Sequence, residues 1–382
     1  VRTSAFLYPW DVVGDPDAAP RLADLGLDRI TLASAYHSTR ALTPRHPSRR
    51  IVTARHSAVY YPPGRRRGIG PYPQTWIDSP DPFGEAGAAL LAAGLDVHSW
   101  VVLAHNSRLG EENPRCTVRN AYGEHYPWAL CIAQPEVVEY GALLAAEAAV
   151  RPGASGVELE SCGWYGLAHL HAHDKIGGVP LGPVGQLLMS LCFCPSCSAG
   201  YADAAALRAA VLAALAPLWR GAPDPADLAD AVGRSLAADA LAHRAAAARQ
   251  FQSAAVSAVR SAAPPGFRIL LHADPTPHHY GPNPGVELDW LLGQVDGLVI
   301  PAALLPTALP ERRPGTVLAA NLGIIGGLGP IPEADELRFY HAGLASDADL
   351  AAVRQLLDRQ RSRGSVSAPH STTVTASSGP GR

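Results

Sequence analysis

No run of about 18 consecutive uncharged apolar residues occurs in the chain, which excludes a membrane-spanning helix. Charge is scarce. Only 17% of the 382 residues are charged and the formal net charge is -3. A near-neutral surface gives no pull toward nucleic acid or an anionic membrane, so neither is an expected partner. No glycine fingerprint for a dinucleotide follows any strand-like run. Residues Phe6-Leu7-Tyr8-Pro9-Trp10 are reached with no basic region or cleavage site before them, which reads as a cytoplasmic protein. Cysteines are few, six in all. That is too sparse for a disulfide framework and fits a reducing compartment.

What is present is apolar and punctuated. Hydrophobic residues make up 47% of the chain, and Gly 36 and Pro 35 are high counts that predict long ordered loops. Short apolar runs at 5–10, 29–36, 97–105, 156–160, 268–274, 297–302, 316–322 and 337–344 read as strands. Helical patterns fall between most of them, at 17–25, 82–93, 135–149, 204–218, 225–260, 287–294 and 347–361. Alternation of this kind implies a parallel sheet covered on both faces. Eight repeats predict an α/β fold closed as a (β/α)8 TIM barrel, with an open doubly wound sheet as the other architecture. Long connections follow strands two and four. The expected organisation is one barrel over 1–362, with a 161–262 excursion after strand four, and a disordered Ser/Thr/Gly/Pro-rich tail over 363–382. Oligomeric state is not legible.

Polar and aromatic residues stand at seven of the eight strand ends. They are Trp10-Asp11, Tyr36-His37, His105-Asn106, Glu158 with Glu160, His272 with Asp274, Asn321, and Tyr340-His341. Barrel enzymes build their sites at this face, so a polar mouth is expected. Glu158 and Glu160 are two apart on one strand face. Glu160, the outer one, is the candidate general acid. Glu158, deeper, is expected to anchor a hydrogen-bond network, or the two form a salt-bridged structural pair. Asp274 or Asp11 is the candidate second carboxylate. Trp10, Tyr36, Trp100, Trp164 and Tyr340 offer faces on which a sugar ring can stack.

His169, His171, His173 and Asp174 form a second group, readable as metal ligands, as the lining of a substrate cleft, or as a solvated loop. With His272 and Asp274 they support an alternative, a metal-dependent hydrolase or isomerase. The run Cys192-Phe193-Cys194-Pro195-Ser196-Cys197 places three thiols on one tight turn. Thiols so close pair poorly as disulfides but suit a tetrahedral zinc site with a fourth ligand from elsewhere, Cys131 or Cys116.

A glutamate ending strand four, a Cys-x-Cys-x-x-Cys run, and an earlier cysteine just before a helix-opening proline together resemble the family 42 β-galactosidases. The resemblance spans roughly residues 97–200. It implies a (β/α)8 glycoside hydrolase with Glu160 as acid/base and a structural zinc on Cys131, Cys192, Cys194 and Cys197. Two features depart from that family's clan. Leu159 stands where the clan has Asn, and Ala319-Ala320-Asn321 has no glutamate where the clan has its nucleophile. The sequence therefore reads as a glycoside-hydrolase-like barrel outside family 42 acting on a carbohydrate. A sugar-binding pseudo-enzyme is the non-catalytic reading.

Overall fold

A computed structural model describes residues 1–64, 68–169, 174–276, 278–305 and 311–366, with side chains to 362. His171, His173 and the segment 367–382 lie outside the described residues. Eight parallel strands close on themselves. We number them β1 Arg2–Leu7, β2 Arg29–Tyr36, β3 Asp96–Val102, β4 Gly156–Glu160, β5 Arg268–His272, β6 Gly297–Pro301, β7 Val317–Gly323 and β8 Glu336–Tyr340. Each pairs with its neighbour in chain order, and β1 pairs with both β2 and β8. The expected TIM barrel is what forms.

Strand limits differ from the sequence reading where chemistry ends the ladder. Pro9 has no N–H to donate, so β1 stops at Leu7 and Pro9–Asp11 turns as a 3-10 helix. The helical pattern over 225–260 breaks at Gly233, whose φ of 87° only glycine adopts freely. It becomes Leu228–Val232 and Arg234–Ala262. The long helix packs along Pro135–Ala149 over β3 and β4. Gly141 permits that approach, because a Cβ there would lie 2.4 Å from the Phe251 ring.

The excursion between β4 and β5 carries the helices Pro183–Ser190, Pro195–Gly200, Ala204–Leu218, Leu228–Val232 and Arg234–Ala262. A hairpin of Thr117–Arg119 and His125–Leu130 follows β3. The chain after β2 adds the hairpin Thr39–Leu42 with Ile51–Ala54, and Ala58–Val59 pairs antiparallel to β2. The last helix is Asp347–Val366.

Inside the barrel the two-residue strand period stacks side chains in layers. The deeper layer is ionic. Glu158 Oε1 accepts from Arg338 Nε at 2.7 Å and from Thr31 Oγ1 at 3.1 Å. Arg338 Nη2 also meets Glu336 Oε2 at 2.7 Å. Glu336 in turn meets Arg29 at 3.3 Å and Arg268 at 3.0 Å. Burial pushes the Glu158 carboxyl up, but the Arg338 guanidinium and the His272 and His98 rings hold it well below the usual carboxylate range. Removing one partner strands the other charge in the barrel. Arg338→Met is expected to cost about 3–5 kcal/mol of unfolding free energy, measured by urea titration. A loss below about 1 kcal/mol would show that water reaches the pair.

Candidate active site and cysteine cluster

One strand step above Glu158 lies Glu160, only 7% exposed at the end of β4. Its Oε2 accepts from Trp100 Nε1 at 2.7 Å. Burial raises its pKa, against the lowering effects of His272 and the Trp100 hydrogen bond, and Glu158 raises it further. Ser161 follows in the left-handed region at φ 58°, and its Oγ bonds the Tyr165 hydroxyl at 2.7 Å. That turn ends the strand directly after the carboxyl.

Aromatic rings fill the layer around it. Phe6 meets Trp100, His272 and Tyr340 edge-on, at 4.8, 5.6 and 5.5 Å between centroids. Tyr36 and Tyr340 share a hydroxyl contact at 3.2 Å. Tyr8 stacks on His341 at 4.3 Å and faces Trp100 at 5.9 Å. His272 Nε2 lies 3.4 Å from Glu158 Oε2, close enough for ion pairing but off the line of a hydrogen bond. Glu160, Trp100, Tyr36, His272, Tyr340 and His341 therefore share one neighbourhood. Tyr8, not singled out from the sequence, belongs to it.

Of the other candidate residues, His37 stacks on Tyr36 at 4.1 Å and Trp10 on Tyr8 at 4.3 Å, while the rest have other partners. Asp274 Oδ1 accepts from Thr276 N at 2.7 Å, and its Oδ2 lies 3.7 Å from His279 Nδ1. Asn106 caps the helix Ser107–Glu112, accepting from Leu109 N at 3.0 Å. His105 stacks on Tyr165 at 4.9 Å, with His37 and His169 edge-on at 5.0 and 4.6 Å. Burial takes the His37 pKa down to about 4, so that ring is neutral near pH 7. Asn321 is half-buried on β7. Trp10 is buried between Tyr8 and Tyr60. Trp164 donates to Arg244 O at 2.9 Å and faces a cavity beside the Arg234–Ala262 helix. Among the described residues, no His, Asp or Glu joins a group spaced to hold a metal ion.

Asp11 caps its own turn. Its Oδ2 accepts from Tyr8 N at 2.8 Å, with His341 Nδ1 at 4.0 Å, and none of these contacts is shared with Glu160. Burial raises its pKa to about 7, against the lowering effects of the Tyr8 N–H and Arg45. A carboxyl whose folded pKa exceeds its unfolded one binds more protons when folded, so stability falls as pH rises between the two. Between about pH 4 and 7 the wild type is expected to lose about 3–4 kcal/mol relative to Asp11→Asn, which keeps an acceptor for Tyr8. Denaturant titration of both proteins at the two pH values checks this. Parallel curves would show that Asp11 titrates normally.

The four thiols of Cys131, Cys192, Cys194 and Cys197 are buried, with ligand atoms all within 4.8 Å of one another. Cys131 Sγ lies 3.6 Å from that of Cys194, 3.5 Å from Cys197 and 3.7 Å from Cys192. A disulfide needs about 2.05 Å between sulfurs. A tetrahedron of thiolates about 2.3 Å from a metal puts its sulfurs about 3.8 Å apart. The donor set and spacing thus fit a soft divalent ion. Backbone amides support the sulfurs. Arg119 N donates to Cys192 Sγ at 3.4 Å, and Cys197 N to Cys194 Sγ at 3.5 Å. The other sequence candidate, Cys116, lies outside the group, with its thiol 3.6 Å from Glu136 Oε2.

No family model matches the sequence, and no curated protein matches it. Solved structures do match in shape. Alpha-L-fucosidase isoenzyme 2 from Paenibacillus thiaminolyticus superposes with a TM-score of 0.52 at 13% identity, over 96% of this chain and 50% of that one. A β-galactosidase from the psychrophilic Marinomonas ef1 gives 0.55 at 9% identity, over 96% of this chain and 60% of that one. A GH42 β-galactosidase from G. stearothermophilus gives 0.52 at 11% identity, over 96% of this chain and 57% of that one. The fold shared with these three is a (β/α)8 barrel. The chain spans 50% to 60% of the length of these three.

Proposed function

We propose that the protein is a glycoside-hydrolase-like enzyme acting on a carbohydrate, with Glu160 as general acid/base. The observation that carries this reading is a buried carboxyl with a raised pKa at the end of β4, inside a ring of aromatic side chains. A carboxyl whose pKa is raised by burial suits donation to a leaving glycosidic oxygen. Because Oε2 accepts from Trp100, Oε1 is the atom left to carry the proton. The names of the similarly shaped proteins, a fucosidase and two β-galactosidases, support a sugar substrate. Tyr36, His272 and Tyr340 are our candidates to meet a sugar beside Glu160, with the fully buried Trp100 holding the carboxyl.

Glycoside cleavage needs a second carboxyl group. Asp274 is the better candidate. It lies two residues beyond His272, and the strand period would keep it on the same face. A sugar-binding protein without turnover is the second reading. It is favoured by the engagement of Asp274 with its own loop and of Asp11 with its own turn. We also infer that the cysteine cluster holds a structural zinc and that the protein is cytoplasmic; the last helix runs on through Val366, four residues into the stretch expected to be a disordered tail.

A panel of aryl glycosides, assayed with and without chelator, separates the readings. Turnover indifferent to mild chelation is the expected result. Turnover lost on chelation and restored by added metal would replace it with metal-centred chemistry, and saturable binding without turnover with the pseudo-enzyme.

A further inference from the structure

Arg244 is 1% exposed, and none of its three side-chain nitrogens has a hydrogen-bond partner. A guanidinium stays charged in proteins, and a buried charge without compensation is among the most costly arrangements a fold can hold. The cysteine cluster poses the same problem with the opposite sign. Four thiolates around a divalent ion keep two negative charges in excess. The amide N–H groups of Arg119 and Cys197 meet two of the sulfurs, but they bring dipoles and no formal charge.

The two lie in one neighbourhood. Cys197 sits in the short helix Pro195–Gly200, whose last residue meets the Arg234–Ala262 helix. A Cβ on Gly200 would fall 2.4 Å from the ring of His243, the residue before Arg244. Tyr201 touches both sides. Its hydroxyl donates to Cys192 O at 3.0 Å, and its ring meets that of His243 edge-on at 4.8 Å. Burial works against the charge on Arg244, while Tyr201, Cys197, Tyr280 and Cys192 favour it. The guanidinium carbon lies 4.9 Å from the Trp164 ring centroid, a contact that leaves its N–H donors unused. Two other cationic side chains nearby are occupied or uncharged. Arg119 Nη2 donates to His125 Nε2 at 3.0 Å. Burial lowers the His243 pKa despite Cys194, so that ring is neutral near pH 7.

We propose that Arg244 is the buried counter-charge of the metal centre on Cys131, Cys192, Cys194 and Cys197, a positioning residue that sets metal affinity without being a ligand. The inference rests on the zinc reading above and is independent of any reaction at Glu160. It accounts for two facts at once, a guanidinium with no carboxylate in hydrogen-bonding reach and a thiolate set with no formal positive charge bonded to it. No Arg244 nitrogen bonds a sulfur, so the effect is that of charge across a buried interior, where screening is far weaker than at the surface. Before metal arrives, the same charge favours thiolates over thiols. Metal binding must displace the thiol protons, so the guanidinium lowers that cost.

The experiment is competition for zinc between the full chain and a chromogenic chelator, on wild type, Arg244→Met, Arg244→Gln and Arg244→Lys. Arg244→Met and Arg244→Gln should weaken zinc binding about tenfold to a hundredfold, the range for loss of an outer-shell partner. Arg244→Lys keeps the charge and should keep most of the affinity, whereas a packing role would treat lysine and methionine alike. If Arg244→Met does not fold, the glutamine and lysine variants carry the same comparison. Thermal melting gives a second readout. Loaded with zinc, Arg244→Met should melt below the wild type. Stripped of zinc it should melt at or above the wild type, because an uncompensated buried charge has been removed. Zinc affinity unchanged in Arg244→Met and Arg244→Gln would overturn the proposal. So would a loss in Arg244→Lys as large as that in Arg244→Met, or a melting point lowered equally with and without zinc. Wild-type protein that binds no zinc would remove the zinc reading itself, and this inference with it.

Discussion

Glu160→Gln is expected to lower turnover of a glycoside with a poor leaving group by about 10²–10⁴-fold, the range for loss of a general acid. Glutamine matches glutamate in shape, and its amide oxygen can still accept from Trp100 Nε1, so the aromatic layer keeps its packing. What is lost is the proton on Oε1. An aryl glycoside with a good leaving group needs little protonation, so it should recover much of the rate. The pH profile gives an independent readout. Burial raises the Glu160 pKa, while His272 and Trp100 lower it, and the net direction is up. The protonated form is the donor, so the rate falls as pH rises through that raised value. The descending limb should lie above the ordinary glutamate pKa of about 4.3 and vanish in the variant. Full activity of Glu160→Gln on a poor leaving group would remove the acid role from this residue. Asp274→Asn on the same substrates tests the second carboxyl: a retained rate would leave the sugar-binding reading in front.

The barrel was legible because its strands are short Val, Leu, Ile and Ala runs with little else to suggest. The stacking of Glu158 and Glu160 on one face followed from the strand period alone. Their separate fates did not. Glu158 is held by Arg338, which lies on β8, 180 residues away across the barrel interior. Such a pairing leaves no local trace, although Glu336 and Arg338 carry the same alternation as Glu158 and Glu160. Trp164 and Asn106 show a different limit. Both stand after a strand, where a pocket residue is expected. Asn106 instead begins a helix and Trp164 lies against Arg244, because loop direction is set by what the loop packs on. Arg244 itself left a signal. Ala237, Ala240, Ala247, Phe251 and Ala255 form the buried stripe of its helix, and Arg244 falls on that stripe at helical spacing. A charged residue there needs an explanation that composition does not supply.

Cys131→Ser is expected to abolish metal binding and to lower the melting temperature by roughly 5 °C, since an unfolding entropy of about 2.1 cal/mol/K per residue makes each kcal/mol worth about 1–2 °C in a barrel of this size. The cluster ties two distant parts of the chain. Cys131 ends the hairpin that leads into Pro135–Ala149, and the other three thiols lie on the 192–197 turn of the excursion. Two direct bonds join those parts beside the cluster. Phe193 N donates to Arg119 O at 2.7 Å and Ser196 Oγ to Gln134 Oε1 at 2.9 Å. Binding of structural zinc by thiolate sites contributes on the order of 10–16 kcal/mol in small zinc-finger peptides, so a metal here would outweigh both bonds. Serine is smaller and a poorer ligand for a soft ion, and the site would be left with three thiolates. Cys116→Ser is the control, because that thiol faces Glu136 rather than the cluster. It should leave metal content unchanged. The measurements are elemental analysis of protein purified without added metal, thiol titration in the native state, and thermal melting before and after chelation. About one zinc per chain, four thiols protected until the protein unfolds, and a melting point lowered by chelator are the expected results. Wild-type protein free of metal, with all six cysteines reacting in the native state, would reduce the cluster to four packed thiols.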